Sequence, residues 1–230
     1  RVMPDDIVLQ PPTRKAQLSM AGNERENLQL LVFPQSAELR SFSVELPRGL
    51  KNPEGAPGEF EIRVSETDYS PLAGPSHWMY LYPAVPDKLI PRDVYSLDRK
   101  KFLPLWLEVK SGENTAPGIY SGEIRITGDN GKTLSLPLEV KVYDFVLPRR
   151  NIVPSIVSIW ERDLQTYLQD GDAEGFMRLF TAYADMVLEH RLNPVVMHQG
   201  DLVAGWLRDT VYPNYRVSPD GKAEINWKYY

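Results

Sequence analysis

The stretch DFVLPRRNIVPSIVSIWERD, residues 144–163, joins two texts of different period. Up to Leu147 it closes the last strand of an alternating β pattern. After Pro148 and two arginines it becomes a mostly apolar run, 152–159, that ends on Trp160-Glu161-Arg162-Asp163. Such a run is typical of a strand covered on both faces in a parallel sheet, whereas alternation belongs to a sheet with one wet face. The passage reads as a seam between a β domain over 1–148 and a second unit over 149–230.

Upstream of the seam, 17 of the 20 prolines lie at or before Pro154. Proline cannot donate to a sheet ladder and collects at strand ends, turns and edges. Between the prolines stand short runs with β character: 28–33 (LQLLVF), 42–46 (FSVEL), 60–64 (FEIRV), 105–109 (LWLEV), 122–127 (GEIRIT) and 134–142 (LSLPLEVKV). The last two flank Gly128-Asp129-Asn130-Gly131, a hairpin signal because Asn-Gly accommodates positive φ. The expectation is one antiparallel β-sandwich of about seven or eight strands. Trp106, alternating with Glu108 on one face of its strand, is expected in the core.

Downstream, Asp172 can cap a helix that runs to about Arg191. Its apolar residues Phe176, Leu179, Phe180, Tyr183 and Val187 recur at spacings of three and four, as on one helical face. His190 and Arg191 then fall in the last turn, where positive charge complements the dipole. Asn193-Pro194 ends the helix, and 195–197 (VVM) is a second short strand leading into His198-Gln199-Gly200. Strand, helix, strand at this spacing is a βαβ unit. The expected class is mainly β, a sandwich followed by an incomplete α/β segment.

The formal net charge of −5 over 230 residues and the scattered basic residues argue against general nucleic-acid or anionic-membrane binding. No apolar run approaches the ~18 residues of a membrane span. With no cysteine, disulfides, thiol catalysis and Cys-based zinc sites are excluded. The three histidines show no metal-ligand spacing, and no glycine-rich phosphate loop follows a strand. Neither a metal nor a cofactor is expected. The chain opens on Arg1 rather than Met, so a processed or trimmed product is expected, its signal peptide already removed.

Several segments resemble the N-terminal sandwich of the glycoside hydrolase family 123 group and its uncharacterised relatives: NERENLQLLVF (23–33), PDKLIP (86–91), LPLWLEVKSGENTAPGIYSGEIRI (103–126) and PLEVKVYDFVLP (137–148). The joint into IVPSIVSIW and the helix ending LEHRLNP (188–194) resemble that family's first barrel strand and helix. The resemblance implies a sandwich that braces a (β/α)8 barrel. It also implies an exo-acting β-N-acetylgalactosaminidase whose nucleophile is the substrate's own acetamido oxygen, an exception to the two-carboxylate scheme. That chemistry needs an adjacent Asp-Glu pair, and none of the 15 aspartates here is followed by glutamate. A full barrel takes ~250 residues, so 149–230 is expected to hold about two of eight βα units, with AEINWKYY (223–230) opening the next helix. The parent protein is then a glycosidase, periplasmic or secreted. The resemblance further implies that this portion is expected to be inactive without the missing C-terminal barrel portion, and that the expected partner is a glycan.

Barrel active sites lie at the carboxyl ends of the strands. Trp160 is therefore a candidate to stack on a sugar face, and His198 and Gln199 to hydrogen-bond ring hydroxyls. The blander readings are packing for Trp160 and a loop-carbonyl bond for His198. Glu161, Asp163 and Asp201 near that rim read as solvated charges or helix caps. In the sandwich, SHWMYLYP (76–83) offers Trp78, Tyr80 and Tyr82 as a candidate carbohydrate platform, although period-two spacing also describes the packed face of a strand. A non-catalytic carbohydrate-binding or scaffolding module is the alternative to the glycosidase.

Overall fold

The computed structural model describes residues 14–34, 39–71, 84–97, 102–149, 155, 157–169, 172–197, 215–217 and 223–225. The chain divides into two compact units, Arg1–Leu147 and Pro148–Tyr230.

The first unit is a sandwich. One sheet contains β1 (Ala16–Gly22), β9 (Thr133–Val146), β8 (Gly118–Gly128), β3 (Ser41–Glu45) and β6 (Tyr95–Ser96), in that spatial order. The other contains β2 (Arg25–Val32), β7 (Leu103–Ser111), β4 (Phe60–Pro71) and β5 (Ala84–Ile90). The all-antiparallel expectation is corrected at one edge, because β1 runs parallel to β9, Ala16 facing Leu138 and Met20 facing Val142. The tight turn Gly22–Glu24 hands the chain from β1 in one sheet to β2 in the other. Parallel neighbours need a long connection, and here it is nearly the whole unit.

Alternation sets what is buried. On β7, Leu103, Leu105, Leu107 and Val109 face inward and meet Leu136, Leu138, Val140 and Val142 of β9, Tyr120 and Ile124 of β8, and Met20 of β1 in one cluster. Each such aliphatic side chain contributes about 2 kcal/mol on burial. The same alternation puts Trp106 on the opposite face. It is half-buried there and its Nε1 donates to Asn27 Oδ1 at 3.2 Å, so the expectation of a core Trp106 is overturned. Its partners on that face are polar, including the Arg25–Glu108 ion pair.

Local chemistry explains two segments. Tyr120 packs edge-on against Phe60 with ring centroids 5.1 Å apart, and its hydroxyl donates back to Ala116 O at 2.9 Å, a tyrosine-corner arrangement. A Cβ on Gly122, two residues on, would stand 2.6 Å from Leu50 Cδ2 and 3.0 Å from Pro47 Cβ, so any side chain there must displace one or both. The β8–β9 hairpin turns at 129–131, with Gly131 N donating to Gly128 O at 2.9 Å. Gly131 alone takes positive φ there, +76°, as in a three-residue loop built on a type I turn.

The second unit contains β10 (Val157–Trp160), a short helix α1 (Glu161–Gln165), α2 (Ala173–Glu189) and β11 (Pro194–Met197), with β10 and β11 parallel. This is one βαβ unit. Asp172 caps α2 as the sequence implies, its Oδ1 accepting from Gly175 N at 2.8 Å. The helix ends two residues earlier than expected. His190 is the C-cap, and Arg191 follows with φ +56°, the left-handed position that glycine usually fills. Arg191 Nε donates to Pro148 O at 2.9 Å. Tyr183, expected on the buried face, is exposed. The helix expected to open at 223 is also corrected. Ala223–Ile225 (β13) is a strand, antiparallel to Tyr215–Val217 (β12). Between them the sequence SPDGK (218–222) carries four turn-forming residues, Ser218 to Gly221, which favour a hairpin over a helix start.

Candidate functional site

The βαβ unit brings two strand ends together. In its register Val157 faces Pro194 and Trp160 faces Met197, so both carboxyl ends finish at one level. Ile159 points the other way from Trp160 and is buried with Leu164 of α1 and Phe176 of α2. Phe176 stacks on Phe180 at 6.1 Å. That small core fixes the strand and turns the Trp160 indole out, 38% exposed. Trp160 has extended backbone (φ −90°, ψ 115°) and leads directly into α1. A half-exposed indole at a strand's carboxyl end offers an apolar face with an N–H at its edge.

His198 and Gln199, the other two site candidates, follow Met197 in sequence and lie outside the described residues, as does Asp201. Glu161 opens α1, and Asp163 is exposed, its carbonyl accepting from Thr166 Oγ1 at 2.7 Å. Among the described residues no three His, Asp or Glu side chains come together as a metal site. No helix among them is long and apolar enough to cross a membrane.

The candidate platform Trp78, Tyr80 and Tyr82 also lies outside the described residues. A different aromatic pair is exposed on the sandwich. Tyr143 and Phe145 of β9 are 41% and 56% exposed, with near-parallel rings 6.1 Å apart, and Lys141 Nζ sits 4.9 Å from the Tyr143 centroid. The pairing with β1 slips here. Two residues of β1, from Met20 to Gly22, span four of β9, from Val142 to Val146, and such a bulge re-aims side chains. Sequence reading missed the pair by ending the strand at Val142. The alternation Lys141, Tyr143, Phe145 was the available signal.

Acidic groups on the sandwich surface are tuned by neighbours. Hydrogen bonds from Lys15 and then Gln17 hold the Glu139 carboxyl below its ordinary range, and those from Arg125 and then Ser135 do the same for Glu123.

No family model matches the chain, and no curated protein matches it. Among solved structures it is similar to a family 123 glycoside hydrolase from Clostridium perfringens, studied for glycolipid glycan hydrolysis. The two share 16% identity and a TM-score of 0.68 over 94% of this chain and 39% of that one. The N-terminal domain of PorA aligns with 58% of this chain and 92% of its own at 12% identity, but its TM-score of 0.36 is too low to carry an argument. The chain thus spans about two fifths of the length of the hydrolase it resembles, and at this identity the likeness establishes a shared fold, that of a family 123-like glycoside hydrolase.

Proposed function

We propose that this chain is part of a glycoside hydrolase acting on β-linked N-acetylhexosamine glycans of the N-acetylgalactosamine type. The β unit is its accessory domain, and β10 and β11 begin its (β/α)8 barrel. The observation that carries this reading is the shared fold at a TM-score of 0.68 over 94% of the chain. The exposed Trp160 at the carboxyl end of β10 supports it, because that end is where barrel enzymes bind substrate. In this reading Trp160 stacks on the sugar, His198 and Gln199 bind its hydroxyls, and the Asp-Glu pair comes from outside these 230 residues. A periplasmic or extracellular location belongs to the same reading, since the glycans are there.

The test is release of N-acetylgalactosamine from a β-glycoside by the product of the whole gene. Trp160→Ala is expected to lower kcat/KM about tenfold, the equivalent of ~1.5 kcal/mol of aromatic contact, with thermal stability unchanged. A whole product that releases no N-acetylhexosamine overturns the proposal.

The exposed Tyr143–Phe145 pair favours a second reading, a non-catalytic carbohydrate-binding module. It predicts saccharide binding without hydrolysis, weakened by Phe145→Ala and indifferent to Trp160→Ala.

A further inference from the structure

The tip of the β8–β9 hairpin holds the one Asn-Gly pair of the sequence, Asn130-Gly131, and both residues are exposed. We propose that Asn130 is a site of spontaneous deamidation, and that the hairpin's own hydrogen bonds hold the reaction back while the chain is folded.

The chemistry needs only water. A solvent base takes the Gly131 amide proton, and the nitrogen attacks Asn130 Cγ. The new C–N bond closes a five-membered imide as the Cγ–Nδ2 bond breaks, and Nδ2 leaves as ammonia with a proton. Water then adds to either imide carbonyl and opens the ring to aspartate or isoaspartate at 130. One water is consumed, one ammonia is released, and no electrons change hands. Glycine at the following position has no Cβ to obstruct the attack. Nothing lies within 4 Å of where a Gly131 side chain would stand, so solvent reaches the site.

The fold opposes ring closure at both reacting groups. The attacking nitrogen is engaged, since Gly131 N–H donates to Gly128 O at 2.9 Å. The electrophile is held too, with Asn130 Oδ1 accepting from Lys132 N at 3.0 Å. Asp129 pins the turn to β3. Its Oδ2 accepts from Arg40 N and Ser41 N, both at 3.2 Å, and its own N–H donates to Ser41 O at 3.0 Å. Closing the imide must break the first bond, since the nitrogen gives up its proton, and must turn the Asn130 side chain out of the geometry in which the second holds it. Once formed, isoaspartate adds a methylene to the main chain at the tip of a ladder running from Gly118↔Val142 to Thr127↔Thr133. Either product adds a carboxylate beside Asp129.

Peptide mapping by mass spectrometry tests this at mildly alkaline pH on four samples: the folded chain, the chain in urea, folded Asp129→Ala, and folded Asn130→Gln. Conversion at position 130 is expected in the first three, about tenfold faster in urea than in the folded chain, given two hydrogen bonds released. Asp129→Ala, which loses side-chain bonds only, is expected to react about threefold faster than the folded parent. Asn130→Gln should leave that peptide unmodified. Equal rates folded and unfolded overturn the proposal, as does an Asp129→Ala variant that keeps the parent circular dichroism and the parent rate.

Discussion

The side-chain amide of Asn23 donates to the carbonyl of Leu147 at 2.9 Å, so the turn between β1 and β2 grips the residue at which the β unit ends. Leu147 N–H returns a bond to Gly22 O at 2.9 Å, and Asn23 N–H donates to Gly112 O at 3.1 Å. Asn23 reaches all this from φ +55°, a conformation that asparagine tolerates and alanine does not.

Two substitutions at this position separate the bond from the backbone. Asn23→Gly keeps the turn and loses the side-chain bond, at a cost of about 1 kcal/mol. Asn23→Ala adds left-handed strain and is expected to cost about 2 kcal/mol. Urea midpoints measure both, and equal costs would refute the backbone argument.

Alkaline pH is expected to weaken the sandwich through Tyr95. Its ring stacks on Phe42 at 5.3 Å and its hydroxyl donates to Val64 O at 3.4 Å. Burial, as the largest cause, pushes the phenol above its ordinary 10.0. A raised folded value means stability that is complete below pH 10 and lost as the pH rises through the folded value. Tyr95→Phe should cost about 1 kcal/mol or less at neutral pH and flatten that alkaline loss. A parent and variant with parallel alkaline curves would show that Tyr95 is not the group responsible.

Acid acts with the opposite sign at Glu139. Its carboxylate accepts from Lys15 Nζ at 2.6 Å and from Gln17 Nε2 at 2.9 Å, which lowers it from its ordinary 4.5. The stabilisation is present above 4.5 and fades as pH falls through the lowered folded value. Glu139→Gln should therefore lose less stability than the parent on acidification, in urea titrations on either side of 4.5. Because these groups are exposed, added salt should shrink the difference.

Glu66 is nearly buried on β4, its side chain 6% exposed, and Arg92 Nε holds it at 2.7 Å from a half-exposed position. Removing the arginine takes the cation away from a nearly buried carboxylate. After screening at the exposed end, Arg92→Ala is expected to cost about 1–2 kcal/mol. Glu66→Gln in the same chain should recover part of that. A double-mutant cycle with no coupling would contradict the pairing.

Much of the fold is legible in short periods. Alternation at 60–64, 105–109 and 122–127 marks β4, β7 and β8, and Asp172 marks the start of α2. In the sandwich, three of the described strands escaped sequence reading for physical reasons. β1 (AQLSMAG) carries few large apolar residues, and its partner is more than a hundred residues away. β5 contains Pro86, which reads as a breaker but is tolerated on an edge strand. β6 is two residues long. Trp106 shows the opposite error, where the right period was given the wrong face: Trp106 shares its side of the strand with Glu108, and the odd-numbered residues of β7 own the core. At the candidate site, the exposure of Trp160 follows from the parity that buries Ile159. The Tyr143–Phe145 pair depends on a slip between strands distant in sequence, which no local period records.

The parallel pairing of β1 with β9 also sets when this unit can form. Gln17 and Glu139 are 122 residues apart, so a ribosome delivers one edge of the sheet long before the strand that accepts it. Until then β1 waits with its hydrogen-bonding groups unmatched. Contacts of such high sequence separation slow folding, because loop-closure entropy must be met first. The sandwich should therefore appear late and all at once, and a nascent chain halted before residue 133 should stay sensitive to protease along its whole length.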